Sequence, residues 1–314
     1  MLDPLSQERL NRLASFLPSG WTLDNARDRS EAAQLAALQG ADFAITGDVP
    51  VTAEMFKSPG LKAVHKWGVG YDNIDCEAAR ANGVRVLRTT GSNAVSVAET
   101  ALGMMLALQR NLARGHVAVM NGTWPKSELG ATSRKLTERT IGIVGLGYIG
   151  KALVKLLQGF DCQILYFKPN RLDADEEANL GVTYVELNEL LKRSDIVSLH
   201  CELNDSTQDM INRDALALMK PDAYLVNLAR GGIVNEADLA TALLSRQIAG
   251  AAVDVFSVEP ITPDNPLLGI DTALLTPHLG AISNDSFAPT VSRMIRNLQQ
   301  IEDGLEPPAL DTLV

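Results

Sequence analysis

Short apolar segments alternate with amphipathic ones along the whole chain. The apolar segments are rich in β-branched residues: ADFAITG at 41–47, LKAVHKWG at 61–68, VRVLRT at 84–89, TIGIVG at 140–145, CQILYF at 162–167, DIVSLHC at 195–201, AYLVNL at 223–228 and IAGAAVDVF at 248–256. Between them lie segments with a helical period, among them SEAAQLAALQ, KALVKLLQ, NELLKR, NRDALALM and EADLATALLS. Strands that are apolar on both faces and alternate with helices are typical of parallel sheets covered on each side. The pattern therefore predicts a doubly wound α/β protein.

A glycine-rich turn, VGLGYIG at 144–150, lies well inside the chain. The strands that precede it need a sheet of their own, which predicts two domains divided near residue 98. The segment from residue 98 to about residue 120 is mostly apolar and predicts one long connecting helix. A last helix is predicted at about 285–303, followed only by the short tail ALDTLV.

The composition narrows the possible functions. With a formal net charge of −10, the 314-residue chain lacks the positive field needed to bind nucleic acid or an anionic membrane. The N-terminal MLDPLSQERL has no basic region followed by an apolar run, and no apolar stretch reaches the length that spans a bilayer. The three cysteines, Cys76, Cys162 and Cys201, are far apart and are not combined with histidines at metal-ligand spacing. We therefore expect a cytoplasmic protein with no metal site.

The glycine-rich turn predicts a dinucleotide site. Its glycines, Gly145, Gly147 and Gly150, follow a predicted strand and open a predicted helix. In that context the first glycine permits the tight turn, the second lets the backbone approach a pyrophosphate, and the helix N-terminus stabilises the phosphate charge. Tyr148 and Ile149 complete the segment. The alternative is a tight strand-to-helix turn that binds no ligand.

Downstream of the turn, the motifs NLARGG, DVFSVEP and TPHLG carry residues suited to hydride transfer to a ketone that bears a carboxylate. Arg230 can hold a substrate carboxylate through two parallel hydrogen bonds. His278 can give or take the proton, and Glu259 can hold the imidazole in place and favour its charged form. The alternative is a surface network of an arginine, a glutamate and a histidine.

Over most of its length the chain resembles the D-isomer-specific 2-hydroxyacid dehydrogenase family. The matching blocks are KWGVGYDNID at 66–75, SVAETALGMMLAL at 96–108, TIGIVGLGYIGKAL at 140–153, LMKPDAYLVNLARGGIVNEADLATAL at 218–243, GAAVDVFSVEP at 250–260 and TPHLG at 276–280. The resemblance implies a flavodoxin-like substrate domain made of residues 1–98 and 286–314, a Rossmann dinucleotide-binding domain at 99–285, and a cleft between them. It also implies hydride transfer between a nicotinamide cofactor and a small 2-oxo acid such as glyoxylate or hydroxypyruvate, which gives a D-2-hydroxy acid.

Further site residues follow from the resemblance. The backbone of Val69 and Gly70, in the loop WGVGYDN, is implied to bind substrate together with Arg230 and His278. The positions that match those holding the cofactor are Cys201, Thr207, Leu228, Ala229, Asp254 and Gly280. Asp254 is implied to accept a hydrogen bond from the carboxamide. Glu202 departs from the family, which usually has proline at that position.

The cofactor preference depends on the strand CQILYF, which is followed by Lys168, Asn170 and Arg171. In NAD-specific relatives the position aligned with Lys168 is an aspartate, which accepts hydrogen bonds from the adenosine ribose and would repel a 2'-phosphate. Lys168 and Arg171 can each donate a charge-assisted bond to that phosphate, of about 1.5–3 kcal/mol. The sequence therefore favours NADP(H) over NAD(H), the alternative being that both cations lie on a solvated loop.

The apolar run ALGMMLALQRNLARGHVAVM carries more apolar surface than a solvated connector should expose. We therefore expect a homodimer formed through the nucleotide-binding domain, as the resemblance implies. Two other functions stay open at this point. One is an NAD-dependent D-2-hydroxyacid or phosphoglycerate-type dehydrogenase, and the other is a dinucleotide-sensing interaction protein without turnover.

Overall fold

The computed structural model describes all 314 residues, which form two compact units. The first unit comprises Met1–Asn93 and Ser283–Val314, and the second comprises Ala94–Ile282. The boundaries expected from the sequence, at residues 98 and 286, lie a few residues further along the chain.

The first unit is built on a small parallel sheet. Its elements before the second unit are α1 (Gln7–Ala14), α2 (Glu31–Ala37), β1 (Phe43–Thr46), β2 (Ala63–Lys66), α3 (Cys76–Ala81) and β3 (Arg85–Leu87). The strand order is β1-β2-β3, and neighbouring strands are parallel. Beyond β1, Leu2 N donates to Ile45 O (2.8 Å) and Ala26 N donates to Met1 O (2.9 Å), so the N-terminal residues lie beside this edge of the sheet.

A buried histidine lies in the middle strand of this sheet. His65 in β2 is fully buried, with Nδ1 2.8 Å from Lys66 O and Nε2 3.2 Å from the side-chain nitrogen of Asn297. Burial lowers the pKa of His65 to about 4. The imidazole is therefore neutral at physiological pH, donating from one nitrogen and accepting at the other.

The second unit contains a sheet of seven parallel strands. They are β4 (Thr140–Val144), β5 (Gln163–Phe167), β6 (Val182–Tyr184), β7 (Ile196–Leu199), β8 (Tyr224–Asn227), β9 (Gly250–Val253) and β10 (Ala273–Leu275). Their order is β10-β9-β8-β7-β4-β5-β6, with every neighbouring pair parallel. The direction of winding reverses between β4 and β7, and open sheets of this kind bind ligands at the carboxyl ends of the strands beside such a reversal.

Helices cover both faces of the seven-stranded sheet. The helices of this unit are α4 (Ala94–Gln109), α5 (Leu112–Met120), α6 (Lys126–Thr132), α7 (Tyr148–Leu157), α8 (Ala174–Leu180), α9 (Leu187–Arg193), α10 (Arg213–Leu218) and α11 (Glu236–Leu244). One buried apolar layer packs the strands against α9, α10 and α11, and a second packs them against α4 and α7. In β8, Leu225 belongs to the first layer and Val226 to the second, as the alternation of side chains in a strand requires. The predicted doubly wound α/β fold is confirmed.

The single helix predicted from residue 98 to about residue 120 is wrong. The structure has two helices there, α4 and α5, separated at Asn111, whose φ of 52° lies in the left-handed region. The side-chain nitrogen of Asn111 donates to Leu129 O, Thr132 Oγ1 and Ser133 Oγ at 3.0–3.2 Å. These hydrogen bonds stabilise the left-handed backbone conformation, which asparagine tolerates better than most residues. A helix cannot continue through that conformation, so α4 ends before Asn111.

The last helix, α12 (Asn284–Glu302), belongs to the first unit. Arg293 of this helix donates from Nε and Nη2 to the buried carboxylate of Asp311, at 2.7 and 2.6 Å, and Thr90 N also donates to it, at 3.0 Å. Burial raises the pKa of Asp311, but these hydrogen bonds and the Arg293 charge outweigh burial and leave the pKa below its usual value. The C-terminal segment is thus tied to α12 and to the segment after β3. No helix of the chain combines the length and the apolar character needed to cross a bilayer.

Candidate active site and dinucleotide site

The glycine-rich turn joins β4 to α7, and its shape depends on having no side chains. Gly145 has φ +94°, and a Cβ on it would lie 2.5 Å from Cys201 N. A Cβ on Gly150 would lie 2.6 Å from Gly145 O, whereas a Cβ on Gly147 would have no atom within 4 Å. Helix α7 begins at Tyr148 without a side-chain cap. An open backbone at Gly147 beside an uncapped helix N-terminus fits a pyrophosphate group.

The end of β7 forms the neighbouring wall of the turn. His200 has Nε2 2.9 Å from Ser198 Oγ, while its buried Nδ1 makes no hydrogen bond. Burial lowers the pKa of His200 to about 4 and raises the pKa of the Cys201 thiol to about 11, so both groups are neutral at physiological pH. Thr207 closes the following loop, because its hydroxyl accepts from Asn204 N (2.8 Å) and donates to Glu202 O (2.7 Å).

The loop after β5 carries the basic residues expected at the adenosine ribose. Lys168 is half-buried and makes no hydrogen bond or ion pair, and Asn170 is exposed. Arg171 instead pairs with Glu177, with Nε 2.7 Å from one carboxylate oxygen. From the sequence, Lys168 and Arg171 are equivalent candidates for binding a 2'-phosphate. In the structure only Arg171 is paired with a carboxylate.

The segment after β8 positions Arg230. Asn227, the last residue of β8, is buried; its side-chain oxygen accepts from Ala229 N (3.0 Å) and its side-chain nitrogen donates to Arg230 O (2.9 Å). Arg230 is extended, and its Nη1 donates to Ala229 O at 2.8 Å. Asn227 was not identified from the sequence, although a polar residue that closes the apolar run AYLVNL is a signal that could have found it.

Close packing brings the Arg230 segment to the loop that carries Glu259. A Cβ on Gly231 would lie 2.0 Å from the carbonyl carbon of Phe256, so only glycine fits between the two backbones. Leu228 and Ala229 are buried beside this contact.

His278 and Glu259 form a direct pair. The Nδ1 atom of His278 lies 2.7 Å from Oε2 of Glu259, whose other oxygen accepts from Phe256 N at 2.9 Å. Burial raises the pKa of Glu259, but the hydrogen bonds from His278 and Phe256 and the charges of His278 and Arg230 outweigh burial and lower the pKa below its usual value. The carboxylate is therefore ionised at neutral pH, and the structure brings the three residues of the predicted trio together.

Asp254, directly after β9, holds the segment that contains His278. Its buried carboxylate accepts from Leu279 N (2.8 Å), from Gly280 N (2.8 Å) and from the hydroxyl of Thr276. Its backbone oxygen accepts from His278 N at 2.8 Å. His278 has φ +51°, a conformation that non-glycine residues rarely adopt, and these bonds maintain it. The role of Asp254 toward a carboxamide remains a prediction.

Val69 and Gly70 belong to the first unit, in the loop after β2. Gly68 has φ +135°, and its carbonyl oxygen accepts from Thr89 N at 3.2 Å. Arg88 Nη1 donates to Val69 O at 3.3 Å. The loop is thus anchored to the segment after β3, and its binding of substrate remains a prediction.

Known proteins share this fold and these motifs. Residues 102–280 match the model of the D-isomer specific 2-hydroxyacid dehydrogenase, NAD binding domain. The hydroxypyruvate reductase of Thermotoga maritima is 40% identical over 234 residues, which cover 74% of each chain. The glyoxylate reductase of Korarchaeum cryptofilum is 39% identical over 267 residues, covering 83% of this chain and 79% of that one. The solved structure of D-lactate dehydrogenase from Aquifex aeolicus, complexed with NAD and lactic acid, matches with a TM-score of 0.89 and 26% identity, covering 99% of this chain and 97% of that one.

The chain therefore belongs to the D-isomer specific 2-hydroxyacid dehydrogenase family, as its motifs predicted. Membership makes it an oxidoreductase of 2-hydroxy acids that uses a nicotinamide dinucleotide.

The pairing of Glu259 with His278 leads to a prediction that needs no turnover. Glu259→Gln keeps a hydrogen-bond acceptor but removes the charge that stabilises imidazolium, so we expect His278 to lose its proton at a lower pH than in the parent. An NMR titration of the imidazole measures this change. The control is Glu189→Gln on α9, whose carboxylate contacts Arg193 and not the trio. An unchanged midpoint in Glu259→Gln would contradict the prediction.

Proposed function

We propose that the chain is a reductase of small 2-oxo acids such as glyoxylate and hydroxypyruvate, that it produces D-2-hydroxy acids, and that it favours NADPH. The observation that carries the proposal is the His278–Glu259 pair at 2.7 Å with the Arg230 charge beside it. The names of the two relatives, hydroxypyruvate reductase and glyoxylate reductase, support the substrate class. A dehydrogenase for larger 2-hydroxy acids would use the same trio.

Each member of the trio has one role in the proposed reduction. When bound, the reduced nicotinamide supplies the hydride. Protonated His278 donates from Nε2 to the ketone oxygen, while Glu259 at Nδ1 stabilises the imidazolium form before the transfer. Arg230 binds the substrate carboxylate and polarises the carbonyl. In the direction of oxidation, neutral His278 removes the hydroxyl proton.

Substitutions of His278 and Arg230 are expected to fail in different ways. His278→Ala should lower kcat by about 100-fold to 10,000-fold, the usual contribution of a positioned acid-base group, and should leave dinucleotide binding nearly intact. Arg230→Ala should also raise KM for the 2-oxo acid strongly, because the carboxylate loses its charged partner. Arg230→Lys is the matched comparison, since lysine keeps the charge and loses the planar fork.

The measurement is steady-state reduction of glyoxylate and hydroxypyruvate together with calorimetric dinucleotide binding. Near-parent kcat in His278→Ala at saturating cofactor and substrate would remove His278 from the mechanism. Dinucleotide binding by the parent without turnover of any 2-oxo acid would favour the sensing function instead.

The preference for NADPH rests on Lys168, which lacks a partner at the position where NAD-specific relatives have an aspartate. The relative from Aquifex aeolicus that binds NAD supports the opposite choice, so the preference needs a direct test.

Lys168→Asp is expected to move the ratio of kcat/KM for NADPH over NADH at least tenfold toward NADH. The lost attraction and the new repulsion of the 2'-phosphate together exceed the roughly 1.4 kcal/mol that tenfold requires. The control is Lys192→Asp, an exposed lysine in the last turn of α9 that makes the same change in net charge. A parent enzyme that uses NADH more efficiently than NADPH would contradict the preference.

We also propose that the chain forms a homodimer through its nucleotide-binding unit. Helix α5 has no buried residue, and its apolar side chains are exposed together with that of Trp124, which is 78% exposed. The exposed residues are Leu112, Val117, Val119, Met120 and Trp124. Such a cluster marks an interaction surface, and a second copy is the partner that the family resemblance implies.

The homodimer predicts a mass of two chains by light scattering at micromolar concentration. Replacing Val117 and Met120 with lysine should produce the monomer, because two charges would be buried without partners. Leu244→Lys is the matched control, since Leu244 is also exposed, at 70%, but lies at the end of α11. A monomeric parent would refute the proposal.

A further inference from the structure

Arg171 is held by two neighbours in the loop after β5. Its Nε and Nη2 atoms donate to the two carboxylate oxygens of Glu177 at 2.7 and 2.8 Å. Its guanidinium carbon lies 5.2 Å from the centre of the Tyr184 ring. The planar fork of the guanidinium is therefore already used by a carboxylate, although the Arg171 side chain remains 60% exposed.

Glu177 is itself fixed in place. The hydroxyl of the buried Tyr166 donates to the same oxygen of Glu177 that binds Arg171 Nε, at 2.6 Å, and accepts from Leu172 N at 3.0 Å. The Glu177 side chain is only 12% exposed. Hydrogen bonds from Arg171 and Tyr166 lower the pKa of Glu177 to about 2, so the carboxylate stays charged over the whole physiological range.

We propose that Glu177 is a specificity-determining residue of the adenosine site: it holds and neutralises Arg171, withholding this guanidinium from a 2'-phosphate, and leaves Lys168 to recognise the phosphate. The inference rests on the proposed function only in placing the adenosine ribose at the end of β5.

Two physical effects support this role. Glu177 occupies the Nε–Nη2 edge of the guanidinium, one of the edges through which arginine binds a phosphate by two parallel hydrogen bonds. The carboxylate also cancels the positive charge of Arg171 as seen by an incoming dianion. Lys168 has no such partner. In the same loop, therefore, Lys168 is available to bind a phosphate, whereas Arg171 is paired with Glu177.

The test is Glu177→Gln, which keeps an acceptor for Tyr166 and removes the charge that captures Arg171. The probes are adenosine 2',5'-bisphosphate and adenosine 5'-monophosphate, whose dissociation constants are measured by calorimetry at fixed salt. We expect the preference for the bisphosphate to rise at least about threefold, as one newly available exposed charge should produce. The ratio of kcat/KM for NADPH over NADH should move in the same direction.

The matched control is Glu176→Gln, which removes the same charge one residue earlier on α8, where the carboxylate pairs with Lys151. This control should change the preference less than twofold. The double variant Arg171→Ala/Glu177→Gln should likewise stay within about twofold of the parent, because it removes both charges of the pair and contains no guanidinium to be released. A smaller rise than threefold in Glu177→Gln, or an equal rise in either control, would overturn the proposal.

The double variant Arg171→Ala/Glu177→Ala gives a second measurement if Glu177→Gln does not fold. It removes both charges of the pair, so the bisphosphate preference should change less than about twofold. A larger loss would mean that Arg171 already binds the phosphate and would overturn the proposal. The outcome is separate from the proposed NADPH preference, which fails if Lys168→Asp leaves the preference unchanged.

Discussion

The buried carboxylate of Asp254 is the interaction on which the candidate active site depends. It lies directly after β9 and collects donors from Thr276, Leu279 and Gly280. A buried carboxylate without such donors would strongly destabilise the fold, so residues 276–280 pack where their donors reach Asp254. The left-handed backbone of His278 follows from that requirement, and it turns the imidazole toward Glu259. The local preference of the loop alone would not produce this conformation.

Close approach of backbones is the second constraint on the site. The glycine-rich turn touches the end of β7 at Gly145, and the Arg230 segment touches the Glu259 loop at Gly231. At both places a methyl group would overlap main-chain atoms, so the glycines serve packing between neighbouring loops as well as any ligand. Loops that follow different strands of one parallel sheet thereby meet at a single edge.

Much of this could be predicted from the sequence, because the strongest signals were local. The long apolar runs identified β4, β5, β7, β8 and β9, and the motifs identified the trio. Strands β6 and β10, of three residues each, were not identified, whereas the equally short β3 was, because it lies within the apolar run VRVLRT. The helix break at Asn111 and the role of Asn227 depend on hydrogen bonds formed only in the folded chain. The capture of Arg171 by Glu177 was missed for the same reason: their spacing is not the three or four residues at which helix neighbours meet.

Each unit also keeps one uncharged histidine in its interior, His65 in the first and His200 in the second. Both have a folded-state pKa of about 4, below the unfolded value of about 6.5. Their contribution to stability is therefore complete above about pH 6.5 and is lost as the pH falls toward 4, by roughly 1.4 kcal/mol per pH unit for each histidine. A fall in pH therefore destabilises both units over the same range, because the buried histidine of each unit is protonated more readily in the unfolded chain. The acid limit of the working range is then a property of the two folds, separate from the protonation of His278 in the proposed reaction.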